Sequence, residues 1–334
     1  MSAYSLFSPY CNLPDDPSDW LYDPPVLAST VGWQQPNYPE DVTLVQQIVN
    51  IIIQLGYLED WAVTPMQETG YYDDAVDYAL SAIERKYLSG MASPFGQGII
   101  ANGSPLFVFM VHLSAGNANL VVHYSPMMYQ LVHVMLPRAT RNIPKYLSDI
   151  LQALALYGLA DTDMVLMAFA TIRAESASFA PISEGASIYN SSAAALQHKK
   201  GTHLFDLYDK RTDLGNKDAP DGYDYRGRGF VQLTGRDHYT KYGKDFGWPL
   251  TSNPDLANDP WAAAVLLARF MKDHEKTIRA DLRRKDLRAA RRAVNGGSHG
   301  LKEFIEAMTA GRAFLQKQIA DDASRKLTAL AGMR

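Results

Sequence analysis

Two glutamates, Glu175 and Glu184, stand nine residues apart in a chain of 334 residues. About forty residues on comes the run Tyr225-Arg-Gly-Arg-Gly-Phe-Val-Gln-Leu-Thr-Gly-Arg-Asp-His-Tyr239. Paired carboxylates beside a polar, glycine-rich segment are suited to breaking a glycosidic bond. One gives a proton to the leaving sugar oxygen, and the other activates water.

Local sequence dictates how such a pair is carried. The spacing predicts a helix over 161–175. Asp161 or Thr162 can cap it, Asp163 suits its first turn, and Val165, Leu166, Phe169 and Ile172 recur at helical spacing. Glu175 falls in its last turn. Pro181 blocks continuation, so Glu184 is expected on a loop that can fold back across a cleft. Phe179, Ile188 and Tyr189 are expected to surround the pair and to desolvate one carboxyl. The stretch 218–222 forms a turn. After it, Tyr225–Thr234 reads as a short extended stretch, with Gly227 and Gly229 allowing close backbone approach by a ligand. Alternation would put Gln232 and Thr234 on one face, as an amide and a hydroxyl for a sugar N-acetyl group or the attacking water. Asn295-Gly-Gly297 is a further polar turn able to reach the same cleft. The catalytic candidates are Glu175, Glu184 and Thr234. The substrate-binding candidates are Tyr225, Arg228, Gln232 and Asn295.

These residues resemble the family 19 glycoside hydrolases, and their bacterial and phage endolysin branch more than the plant chitinases. Four ordered pieces carry the resemblance over roughly residues 140–320: Ala174-Glu-Ser-Ala-Ser-Phe179 with Glu184, then Tyr225–Gly235, then Asn253-Pro-Asp-Leu256, then Ala293–Leu301. The resemblance implies a mainly α, lysozyme-like catalytic domain. It implies Glu175 as general acid and Glu184 as general base. Thr234 becomes a hydroxyl that positions the water, and Gln232 and Asn295 become substrate-binding groups. The family inverts at the anomeric carbon, which needs carboxylates roughly 6.5–9.5 Å apart. It needs no metal or other cofactor. The family usually has His before its first glutamate and Gly-Gly after it, where this chain has Ala174 and Ser176-Ala177.

Composition bounds the rest. A single cysteine, Cys11, excludes an intramolecular disulfide framework and a zinc site built on cysteines. His112, His123 and His133 read as core or surface residues rather than metal ligands. Residues 1–84 hold thirteen acidic residues and no Lys or Arg, so a net charge of −4 leaves +9 on the remainder. Arg279, Arg283, Arg284, Lys285, Arg288, Arg291 and Arg292 crowd together there. They form either a solvated helix face or a surface attractive to an anionic polymer such as the bacterial wall. No base-stacking or groove-reading motif accompanies them, so nucleic acid is not the expected partner. The first thirty residues carry no basic start and apolar run of the signal-peptide kind. The apolar stretches Leu106–Leu113 and Leu120–Leu136 are too interrupted for a membrane span.

Three regions are expected. Residues 1–40, rich in Pro, Asp, Tyr and Trp, read as an extended arm. Residues 41–115 form a small helical N-terminal domain, with Val42, Val45, Ile48, Val49 and Ile52 on one helix ending at Gly56. Ala75, Val76, Ala79, Leu80 and Ile83 lie on a second. This order resembles the three-helix peptidoglycan-binding module of wall hydrolases, with a Gly98–Ser104 turn before Leu106. The bland alternative is a helical accessory domain with no ligand. Residues 116–334 form the hydrolase domain. The resulting expectation is a peptidoglycan hydrolase, a muramidase. A chitinase of the same fold and a catalytically inactive wall-binding protein are the alternatives. It would be made in the cytoplasm and act on the wall in the periplasm or beyond. A holin would release it as a phage endolysin, or a type VI secretion apparatus would deliver it as an antibacterial effector. An effector implies an immunity protein and a secretion component as partners.

Overall fold

A computed structural model of the chain describes residues 27–32, 34–58, 63–88, 100, 105–114, 126–198, 203–295, 297 and 299–331. Cys11, His123, residues 1–26 of the arm and most of the Gly98–Ser104 turn lie outside them. The described chain is mainly α, as expected.

In the N-terminal third, α1 spans Pro39–Gln54 and α2 Asp74–Ile83, which runs on into a π-helical turn at Glu84–Leu88. The α1 stripe Val42, Val45, Ile48, Val49 and Ile52 is buried, and Gly56 ends the helix with φ 75°. Asp73 caps α2 by accepting from the Ala75 and Val76 amides. Val76, Ala79, Leu80 and Ile83 are buried, whereas Ala75 is exposed on the first turn rather than part of the stripe. Residues 27–31 of the predicted arm pack back on this unit. Asp41 accepts from the Ala28 and Ser29 amides, and Val31 pairs with Ile100 in an isolated bridge.

Helix α3 (Pro105–Ser114) packs on α1 and also on α5 (Ile143–Leu156). One hydrophobic core therefore continues from Leu27 to Met308. Helix α4 (Pro126–Met135) lies against α5 and α6 (Thr162–Glu175). His133, on α4, is half-buried, with Nδ1 3.3 Å from the Thr140 hydroxyl. Among the described residues no helix is long and apolar enough to cross a membrane.

The rest of the chain is built around α6. After it come α7 (Ala193–His198), α8 (Asp221–Asp224), α9 (Arg236–Phe246) and α10 (Pro260–Asp273). Then follow α11 (Glu275–Arg283), α12 (Leu287–Asn295) and the long α13 (Leu301–Ala331). Helix α6 shows more burial than its predicted stripe. Every residue from Met164 to Ile172 is buried, because α13, α4, α10 and α11 all contact it. A helix apolar on all sides has no solvent face to offer. Each large side chain so enclosed contributes about 1.5–3 kcal/mol of hydrophobic stabilisation. This central helix gives its last residue, Glu175, a rigid mount.

Candidate active site

Glu175 closes α6. The Asp161 side chain starts that helix by accepting from the Met164 amide at 3.2 Å, which selects Asp161 over Thr162 as the cap. Beyond the Ser176 cap the backbone turns at Ala177, with φ 52°. The Ala177 amide donates back to the Ile172 and Arg173 carbonyls. A left-handed residue just past a helix end is usually glycine. Here an alanine holds that position.

The Glu175 carboxylate meets a buried cation. Arg291, on α12, donates from Nη2 to Glu175 Oε1 at 2.7 Å. Arg291 is fully enclosed, and the Glu175 side chain keeps 11% exposure. Nε and Nη2 of Arg291 also donate to the His299 carbonyl at 3.2 and 3.0 Å. The guanidinium thus ties the end of α6 to α12 and to the turn after it. In sequence, Arg291 belongs to a basic run expected at the surface. The signal against that lay in its register, since Leu287, Ala290, Arg291 and Val294 share the inward face of α12.

Glu184 sits on a loop, as expected, and is held by three donors. The Asn190 Nδ2 and the Tyr208 hydroxyl donate to Oε1 at 2.9 and 3.1 Å, and the Gly227 amide donates to Oε2 at 3.1 Å. The Glu184 amide donates in turn to the Gly227 carbonyl at 2.7 Å. Gly227 has no room for a side chain. A Cβ there would come within 2.8 Å of Gln232 Oε1 and 3.2 Å of Glu184 Oε2. Burial, and then the Glu184 charge, push the Tyr208 hydroxyl up to about 12, so it remains a donor at neutral pH. Tyr208 and Asn190 have no sequence signature, because both reach Glu184 through loop geometry.

Both glutamates line one cleft of about 580 Å³, together with Thr234, Gln232 and Asn295. Five of the seven predicted site residues are therefore brought together. The Thr234 hydroxyl donates to the Gln232 carbonyl at 2.9 Å, which leaves its lone pairs to accept from a water. Both N–H donors of Gln232 are spent on the Ile182 and Gly229 carbonyls, at 2.8 and 3.0 Å, so its amide clamps the Glu184 loop. Asn295 accepts from the Gly297 amide and donates to the His299 carbonyl, which shapes its turn.

Tyr225 and Arg228 lie beneath the cleft, not in its lining. Arg228 is 2% exposed. It pairs with Asp255 at 2.9 Å and donates to the Asp224 carbonyl and the Tyr239 hydroxyl. Its donors are consumed by the fold. Tyr225 is buried, with its hydroxyl on the Thr251 carbonyl and the Arg236 guanidinium over its ring. The expected extended stretch is instead a tight turn. Arg228 and Leu233 form one isolated bridge, and Gln232 takes φ 53°. The inferred alternation does not hold there, although Gln232 and Thr234 still reach the cleft. The predicted apolar surround is also corrected. Phe179 is in the core between Phe169 and Phe230, while Ile188 and Tyr189 are 72% and 84% exposed and outside the lining.

Three histidines that the sequence did not single out also line the cleft: His238, His274 and His299. His238 and His274 each place Nδ1 2.8 Å from the carbonyl four residues earlier, Thr234 and Phe270. A carbonyl only accepts, so each Nδ1 carries the hydrogen and each Nε2 is the remaining polar atom. Among the described residues no group of three or more His, Cys, Asp or Glu is placed to hold a metal ion.

The fold and the site define a mainly helical protein with two anchored carboxylates facing one polar cleft. No family model matches the chain. It is similar to a curated "Glycosyl hydrolase family 19 domain-containing protein" of Haemophilus influenzae, 30% identical over 97 residues. The match covers 29% of this chain, and the chain spans just under half, 46%, of that relative's length. The likeness links part of the chain to the glycosyl hydrolases of that family and reaches no particular substrate.

Proposed function

We propose that the chain is a peptidoglycan hydrolase, a muramidase that cleaves β-1,4 glycosidic bonds with inversion. The observation that carries the reading is the shared cleft. Glu175 enters it from a rigid helix end, and Glu184 from a loop fixed by three donors. Glu175, in its protonated form, gives its proton to the glycosidic oxygen, and the Arg291 guanidinium stabilises the carboxylate left behind. Glu184 draws a proton from a water whose second hydrogen is accepted by Thr234, so that an oxygen lone pair faces the anomeric carbon. Arg291 holds Glu175 in place through the bond cleavage. The likeness to a family 19 glycosyl hydrolase domain protein supports the reaction class.

The test is wall digestion and reducing-end release by Glu175→Gln and Glu184→Gln. The reading predicts loss in both, with folding checked separately by thermal melting. Undiminished release in both would sink it. Cleavage of chitin alone would move the assignment to a chitinase. Binding to wall by the wild type without release would move it to a wall-binding protein. The proposal extends to context. The substrate lies outside the cytoplasm, so the protein acts as a holin-released endolysin or a secreted effector. Co-purification with an immunity protein that blocks the cleft would select the effector.

A further inference from the structure

The seven clustered cations of 279–292 separate into two groups. Arg279 pairs with Asp161 and Glu275 at 2.7 and 2.8 Å, Arg284 with Asp281, and Arg291 with Glu175. These three have carboxylate partners, although Arg284 is itself exposed. Arg283, Lys285, Arg288 and Arg292 are exposed and form no ion pair among the described residues. The second acid inside the run, Asp286, caps α12 by accepting from the Ala289 amide. Arg288 and Arg292 are four apart on α12, so they share a face and repel one another. That face leads along the helix to Asn295, and Arg292 itself lines the cleft. Among the described residues it is the one lysine or arginine in that lining. Its neighbour in sequence, Arg291, is the residue that holds Glu175. Arg292 and Glu175 line the same cleft, so a ligand group held by Arg292 lies in the space that the Glu175 carboxyl faces.

We infer that Arg292, backed by Arg288, binds carboxylates on the peptide substituents of a glycan strand, and so selects an acidic glycopeptide over a neutral glycan. The inference rests on the hydrolase reading of the cleft and names what that cleft discriminates. A neutral N-acetylated β-1,4 glycan offers no partner for a full positive charge. A peptide-bearing strand offers several carboxylates, and the planar arginine fork matches a carboxylate in two hydrogen bonds. Binding one would also relieve the repulsion between Arg288 and Arg292.

The test compares two forms of one ligand: soluble uncrosslinked glycan strands with intact stem peptides, and the same strands with carboxyls capped as methylamides. Binding is measured for the full chain, for Arg292→Gln and Arg292→Lys, and for Lys244→Gln as an exposed-charge control outside the cleft lining. An exposed ion pair of this kind corresponds to about fivefold in affinity. Capping is expected to weaken the wild type by that factor. Arg292→Gln should show the same loss on native strands and no further loss on capped ones, Arg292→Lys should retain most of the preference, and raised salt should shrink it. Equal weakening of Arg292→Gln on both strands would overturn the inference, as would an equal effect of Lys244→Gln. If the wild type cleaves neither strand, the hydrolase reading fails, and the binding comparison still decides the role of Arg292.

Discussion

The Glu175–Arg291 pair makes the sharpest energetic prediction. Arg291 is fully enclosed and Glu175 nearly so, at 11% exposure, with 2.7 Å between Nη2 and Oε1. Removing one member of such a pair leaves the other charge buried without compensation, at a cost of about 3–5 kcal/mol. The residual exposure of Glu175 argues for the lower end. Arg291→Met is thus expected to cost about 3 kcal/mol, including the loss of two donors to the His299 carbonyl. Glu175→Gln keeps an amide oxygen for Arg291 but strands its charge, so it is expected to cost about 2–3 kcal/mol. In the double variant neither charge is left stranded. Its cost should be about 4 kcal/mol instead of the 5–6 of simple addition, a coupling of about 1–2 kcal/mol. Urea unfolding of the four proteins at pH 7 measures each quantity. Additivity within about 0.5 kcal/mol would refute the claim that the pair is an isolated, buried charge couple. The cycle also has a practical consequence. Glu175→Gln alters stability as well as chemistry, so its activity must be read on the fraction that remains folded.

Three further outcomes follow from single contacts. Ala177→Gly should stabilise the protein by about 0.5–1 kcal/mol, because relief of the left-handed strain outweighs glycine's extra unfolded-state entropy; an unchanged or lowered midpoint in thermal melting would contradict it. Tyr208→Phe removes one of two donors to Glu184 Oε1, and loss of a hydrogen bond to a charged group predicts about a tenfold fall in reducing-end release with the fold intact; unchanged turnover would show that Asn190 and Gly227 suffice. Asp149 is raised from 3.8 to about 6, first by burial and then by the nearby Asp259 charge. The folded state therefore binds the extra proton between those values, and stability falls as pH rises through about 6. After allowance for partial solvent contact, Asp149→Asn should stabilise by about 1 kcal/mol at pH 8 and by nothing below pH 4, with paired melts at the two pH values as the check.

Some of this was legible in the sequence because it is local. A cap at Asp161 or Thr162, the end of α6 at Glu175 and the loop placement of Glu184 each follow from residues within a few positions. The same holds for the α1 stripe and its stop at Gly56. What was misread depends on distant partners. Arg228 reads as a substrate-binding residue until Asp255, Asp224 and Tyr239 are folded around it. Gln232 falls in a stretch that reads as alternating, and only the fold shows its left-handed backbone with both amide hydrogens on carbonyls. Arg291 had a readable register, but its charge masked it. The resemblance contributed one thing that local reading lacked. Its glycine pair falls where this chain has Ser176-Ala177, and the second of these is the residue with positive φ.

The two carboxylates are held by separate networks, and this separation bears on mechanism. Glu175 depends on α6, α12 and the His299 turn through Arg291. Glu184 depends on Gly227, Asn190 and Tyr208, and Gln232 ties its loop back through Ile182. The described hydrogen bonds show no side chain shared between the two sets. An acid and a base that act on opposite faces of a sugar need independent positions, with room between them for a ring and a water. A shared anchor would couple their movements, and a shift that tightened one would loosen the other. Thr234 is held by the carbonyl of Gln232, the residue that also ties the Glu184 loop, and there the proposed mechanism places the attacking water. On the proposed reading the leaving oxygen falls to Glu175 at the end of α6, and Arg292 lines the same cleft from α12, so the proposed anion selectivity and the proposed proton donor belong to one helix pair.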